Sequence, residues 1–191
     1  MTLLFLVFAC ASPSAPVAPV STASSAEGDR PFAGTGTWDL EGRAITLTAG
    51  TLYADGLPIL AHVYGDPVAG EKVLWVPADP GEGDGGIYAV RIHDGEALVM
   101  PLLTTGRPDR LALSPDGATL VYVGGHSGIA SVWAVPTVAG APRQLTNVGV
   151  LPTPGGAPEG FVPPPERGPV RFDGARIVWT AEGAERTATW R

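Results

Sequence analysis

Three sets of residues in this chain are of types that could do chemistry. Gly125-His126-Ser127-Gly128 begins like the Gly-x-Ser-x-Gly elbow, which exposes a nucleophilic serine on a sharp strand-to-helix turn. Ile129 stands where the second glycine belongs and no helical pattern follows, so Ser127 is not expected to be a nucleophile. His62, His93 and His126 are the imidazoles. A histidine-based metal site needs at least two of them to converge with carboxylates, and their spacing follows no ligand motif. The loop ADPGEGDGG (78–86) holds Asp79, Glu82 and Asp84, oxygen ligands that could hold calcium weakly. Their spacing is not that of an EF-hand, and a solvated acidic hairpin loop accounts for them. No catalytic constellation and no cofactor are expected, and the chain reads as a non-enzyme.

The elements that would position these residues are short. Runs rich in Val, Ile, Leu, Tyr, Trp and Thr, each bounded by Gly, Pro or Asp, begin near residue 34 and recur to the end. The expected strands are 43–48, 51–54, 58–63, 72–76, 86–92, 97–103, 110–113, 118–123, 130–136, 142–145, 169–172, 175–180 and 185–190. No long window holds a helical stripe free of Gly and Pro, so the fold class is all-β with antiparallel strands and tight turns. In LALSPDGATLVYV (111–123), Pro115 presets a turn and Asp116-Gly117 tolerates positive φ, which makes the stretch a hairpin. Asp94-Gly95 and Asp173-Gly174 are built alike, with Asp55-Gly56 as a fourth instance.

The hairpins repeat. KVLWV (72–76), TLVYV (119–123) and RIVWT (176–180) share one form, which places Trp75, Tyr122 and Trp179 at one repeat position. IYAV (87–90) matches VWAV (132–135), giving Tyr88 and Trp133 a second, and LLTTG (102–106) matches QLTNVG (144–149). The period is about 40–50 residues, the range of propeller blades. Repeated aromatics of this kind are expected to pack between blades.

The segment 110–147, RLALSPDGATLVYVGGHSGIASVWAVPTVAGAPRQLTN, resembles the propeller repeat of TolB-like periplasmic proteins, with its SPDG turn, aromatic strand and Arg-x-Leu-Thr close. Residues 66–106 match more loosely, 169–191 match the front of a blade, and 36–64 are readable as a degenerate one. The resemblance implies an antiparallel β-propeller-like domain over 34–191 with three to four repeats, open or partial, or else a small closed ring. A Pro/Gly-rich insertion, 150–169, interrupts it and contains Phe161, a candidate anchor for a partner; His126 is a second weak binding candidate.

The N-terminus carries a different signal. Leu3 to Phe8 is too short to span a bilayer as a helix, and Val7-Phe8-Ala9-Cys10 resembles the lipobox of a bacterial lipoprotein signal, with Cys10 the lipidated residue. Residues 1–10 are then the signal and 11–33, an Ala/Ser/Pro-rich stretch, a disordered tether. Ala11 differs from the Asp that retains such proteins at the inner membrane of enteric bacteria, which favours the outer membrane. With a single Cys there is no internal disulfide, and a formal net charge of −7 with one Lys argues against nucleic acid. The expected role is an envelope-anchored, non-catalytic interaction or scaffold module. Its membrane contact runs through the lipid alone, its partner is a protein of the envelope, and an open propeller leaves room for oligomers. The alternatives are a propeller hydrolase or lyase with a site at the channel mouth, and a truncated remnant without independent function.

Overall fold

A computed structural model describes residues 34–81, 85–126, 129–138, 140–146, 170–181 and 183–189, with the backbone alone for 125, 126, 129 and 130. Among them the chain is all-β, without a helix. Sheet 1 is β1 (Gly36–Leu40), β2 (Arg43–Thr48), β3 (Thr51–Ala54) and β4 (Leu57–Leu60). Sheet 2 is β5 (Val68–Ala69), β6 (Leu74–Ala78), β7 (Gly86–His93) and β8 (Glu96–Leu103). Sheet 3 is β9 (Asp109–Leu113), β10 (Thr119–His126), β11 (Ile129–Pro136) and β12 (Arg143–Gln144). Sheet 4 is β13 (Arg171–Asp173), β14 (Arg176–Ala181) and β15 (Ala184–Thr189). Each is an antiparallel meander of consecutive strands.

Turn chemistry explains the meanders. Four links have two residues with positive φ at both, the geometry that matches strand twist: Glu41-Gly42, Ala49-Gly50, Asp55-Gly56 and Asp94-Gly95. The SPDG turn is longer and held by side chains. Buried Ser114 donates its hydroxyl to Asp116 Oδ1 (2.6 Å) and accepts the Thr119 amide (2.9 Å), while the Gly117 amide, at φ 69°, donates to the Ser114 carbonyl (2.8 Å). The Asp173-Gly174 hairpin is not built like the others. Asp173 pairs with Arg176 inside the ladder, so the link is Gly174-Ala175, with positive φ at the glycine alone.

Two strands lie outside the expected set, β1 and the two-residue β5. The run expected over 58–63 stops at Leu60, because His62 adopts φ 57° and leaves Val63 only an isolated bridge to Ala78.

The sheets stack in chain order through three apolar interfaces. Ile45, Leu47 and Leu52 of sheet 1 meet Leu74, Val76 and Val90 of sheet 2. Trp75, Ile87 and Ala89 of sheet 2 meet Leu111, Leu120, Tyr122 and Val135 of sheet 3. Val121, Val132 and Ala134 of sheet 3 meet Ile177, Trp179 and Ala181 of sheet 4. Strand β6 is buried along its whole length because both its faces are covered. The first strands adjoin, β9 lying beside both β5 and β13. Among the described residues no core cluster joins sheet 4 to sheet 1 and no closed sheet is seen.

The aromatics pack between sheets as expected, with one correction. Trp75 and Tyr122 do not hold one repeat position. Both point into the interface of sheets 2 and 3, from opposite sides. Cross-strand register gives the equivalence: Tyr88 pairs with Val76, and Trp133 pairs with Tyr122. Val76 is therefore the counterpart of Tyr122, and a one-residue offset has turned Trp75 to the other face. Gly124 is required by close approach: a Cβ there would lie 2.7 Å from the Gly106 carbonyl oxygen and 2.8 Å from the Tyr122 ring.

Candidate functional site

Antiparallel pairing brings the β1–β2 and β3–β4 turns to one end of sheet 1, and the β5–β6 and β7–β8 turns to one end of sheet 2. These two ends are tied together. Arg43, the first residue of β2, pairs with Asp55 in the β3–β4 turn and donates to the Gly95 carbonyl in the β7–β8 turn. Lys72 Nζ lies 3.4 Å from Glu41 Oε1, joining the β5–β6 and β1–β2 turns. Beside this junction lies a cleft of about 330 Å³, lined by Glu41 of sheet 1 and by Lys72, Val73, Arg91, Ile92, His93, Leu98 and Met100 of sheet 2.

Two features of this cleft matter chemically. Its walls are largely aliphatic, from Val73, Ile92, Leu98 and Met100, and Leu98 remains 42% exposed. Its charge balance is uneven. Glu41 faces Lys72, while Arg91 has its Nε buried without a hydrogen-bond partner. Arg91 continues the β7 face that begins with buried Ile87 and Ala89, which carries a guanidinium stem to the rim of an apolar stripe.

The residues singled out by type lie elsewhere or at the margin. His93 sits on the rim, exposed, with Nε2 3.6 Å from Asp94. His126 ends β10 at the β10–β11 turn, the opposite end of its sheet from the β9–β10 turn, and its backbone pairs with Ile129. Ser127 lies outside the described residues, and the segment after it is strand β11 where an elbow would need a helix. His62 is exposed, and its carbonyl accepts the Asp79 amide at 3.1 Å, which puts His62 beside the start of the acidic loop. Asp79 is half-buried; Glu82 and Asp84 lie outside the described residues. No group of three or more His, Cys, Asp or Glu able to hold a metal occurs among the described residues. The Tyr88 phenol is held above its ordinary pKa, first by burial and then by the Asp79 charge. Cys10 and Phe161 also lie outside the described residues, within which no helix is long and apolar enough to cross a membrane.

Sequence reasoning did not single out Arg91. The available signal was an arginine at the third position of an Ile87–Ala89–Arg91 alternation, where the strand pattern calls for an apolar side chain. No protein-family model, curated protein or solved structure matches this chain.

Proposed function

We propose that the chain is a lipid-anchored envelope protein whose domain is a TolB-like, β-propeller-type scaffold of open form, acting by docking other proteins rather than by catalysis. The observation that carries this reading is the stacking of four like meanders in chain order, with β9 between β5 and β13. That is how blades with an inner rank of first strands are arranged. The outward face of sheet 1 fits an open series. By the alternation that points Ile45 and Leu47 at sheet 2, the outward row of sheet 1 is Thr37–Thr46–Tyr53–Pro58. The corresponding row of sheet 4 is Arg171–Val178–Thr187; an Arg171–Glu185 ion pair at 2.7 Å crosses it, and its central Val178 is buried. The mostly polar outward row of sheet 1 fits a cap on a stack of repeats.

Anchoring rests on the lipobox-like Cys10, and lipidation of Cys10 would hold the domain at a membrane, the outer membrane in preference to the inner. Two measurements test the reading. Metabolic labelling with a palmitate analogue and membrane fractionation of Cys10→Ser should show loss of label and release to the soluble fraction; an unchanged distribution rejects the anchor. A photocrosslinker at Leu57 or Val138, which are 71% and 79% exposed, should give discrete protein adducts in intact cells. Absence of adducts at both positions rejects the docking role.

A further inference from the structure

We propose that Asp94 is a site of covalent modification, where the chain converts its own Asp94-Gly95 link into an isoaspartyl one and so becomes a substrate for a protein-isoaspartate methyltransferase. The chemistry needs a carboxyl group beside a glycine amide and freedom for the two to meet. The Gly95 nitrogen attacks the Asp94 Cγ. A new N–Cγ bond forms, and the carboxyl hydroxyl leaves with the amide proton as water. A second water then opens the cyclic imide. When it adds to the main-chain carbonyl of Asp94, the bond from that carbon to the Gly95 nitrogen breaks and the chain continues through Cγ. The main-chain carbon is left as a carboxylate, the group such a methyltransferase esterifies.

Asp-Gly is the pair in which this attack is least hindered, because glycine has no side chain to crowd its nitrogen. The structure describes the aspartate of four such pairs, Asp55, Asp94, Asp116 and Asp173, and their restraints differ. The Asp55 carboxylate is held by Arg43 and accepts the Ala44 amide at 3.2 Å. Asp116 accepts the Ser114 hydroxyl at 2.6 Å and the Ala118 amide at 3.2 Å. Asp173 stands in the ladder opposite Arg176, so turning its backbone toward its side chain breaks strand pairing. Asp94 has none of these restraints. Its side chain is 91% exposed, and its one charged neighbour, His93 Nε2, lies 3.6 Å away, beyond hydrogen-bond reach. Asp94 and Gly95 both lie outside the ladder, whose last pair is His93 with Glu96, so rotation there breaks no strand pairing. A Cβ at Gly95 would meet only the Arg43 guanidinium, at 4.0 Å, so the space around the turn is open. The modification adds one atom to the main chain inside this two-residue turn. Gly95 carries the carbonyl that Arg43 holds, so the longer turn loosens a tie between sheets 1 and 2. This inference does not depend on the scaffold reading, because it concerns one turn of the domain and neither the anchor nor docking.

The test ages the full chain at neutral pH, treats it with a protein-isoaspartate methyltransferase and labelled S-adenosylmethionine, and places the label by peptide mapping. The peptide holding Asp94 should carry about tenfold more label than those holding Asp55 or Asp116, the factor by which one hydrogen bond to a charged group slows a step that must break it. It should also exceed the peptide holding Asp173. Ageing in urea unfolds the chain and should bring the four peptides to similar label, because the restraints belong to the fold. Asp94→Glu keeps the charge and should lose the label of that peptide, since the larger ring closes more slowly. Arg43→Gln releases the Asp55 carboxylate and should raise the Asp55 label several-fold. Equal label on the four peptides of the folded chain overturns the proposal, as does an unlabelled Asp94 peptide. An unchanged Asp55 label in Arg43→Gln also overturns it, since side-chain ties would then not decide where the reaction runs.

Discussion

Replacing Tyr122 by phenylalanine deletes one oxygen from the centre of the molecule and tests how the interface between sheets 2 and 3 is built. Tyr122 is fully buried, packed with Trp75, Ile87, Leu111, Leu120 and Val135, and its hydroxyl has no hydrogen-bond partner. A buried hydroxyl left unsatisfied costs about 1–3 kcal/mol. Phenylalanine keeps the ring and its contacts, and the vacated space of about 10–15 Å³ costs roughly 0.3 kcal/mol by the usual cavity slope. Tyr122→Phe should therefore stabilise the domain by about 1 kcal/mol, which for a domain of this size raises Tm by about 2–4 °C. Tyr122→Ala is the control and should lose about 3–5 kcal/mol, because it opens a ring-sized cavity. The pH dependence supplies an independent check. Burial pushes the Tyr122 phenol well above its ordinary pKa of 10.0, so the folded state keeps the proton that the unfolded chain releases above pH 10. Stability is then at its full value below pH 10 and declines above it, by at most about 1.4 kcal/mol per pH unit for one such group. Tyr122→Phe should make that decline shallower and leave the smaller share due to Tyr88. Urea melts at pH 7 and across pH 9–11, read by tryptophan fluorescence, measure both effects. A loss of 1 kcal/mol or more on Tyr122→Phe, or an identical alkaline decline in the two proteins, would refute the reasoning and mean that the hydroxyl has an acceptor.

Three further substitutions probe the turns and the close approaches. Gly124→Ala forces a methyl group against the Gly106 carbonyl and the Tyr122 ring, and should cost about 1–3 kcal/mol in thermal or urea melts. Ser114→Ala leaves the Thr119 amide without its acceptor inside the SPDG turn and should cost about 1–3 kcal/mol, with the lost protection in hydrogen exchange centred on the β9–β10 hairpin. Arg43→Ala removes the tie between the ends of sheets 1 and 2, yet both Arg43 and Asp55 are about two-fifths exposed, so the loss should stay below about 1 kcal/mol and shrink further in high salt.

Much of the architecture could be read from local chemistry. Apolar alternation bounded by Asp-Gly pairs located the hairpins, because turn geometry depends on the φ values that two adjacent residues tolerate. It passed over Glu41-Gly42 and Ala49-Gly50, where Glu41 and Ala49 adopt positive φ although neither is a usual turn former in that position. It also misread Asp173-Gly174 by one residue, since sequence does not say whether the aspartate belongs to the turn or to the ladder. The same one-residue ambiguity put Trp75 in phase with Tyr122. The motif KVLWV aligns by eye with TLVYV, but strand β6 runs from Leu74 to Ala78 and the pairing of Val76 with Tyr88 sets the true phase.

The cleft was of another kind. Arg91 and Leu98 are joined by a hairpin, and their pairing follows from the Asp94-Gly95 turn. Glu41 and Lys72 belong to different sheets and meet only because sheets 1 and 2 stack with those turns at a common end. Sequence by itself determined most of the strands and hairpins and the alternation within each strand, because these depend on a residue and its near neighbours. The tertiary structure alone decided which face covers which, that Tyr122 meets Trp75, and that the Arg91 Nε is buried without an acceptor. Those are properties of contacts between sheets, and no local pattern encodes the partner on the other side.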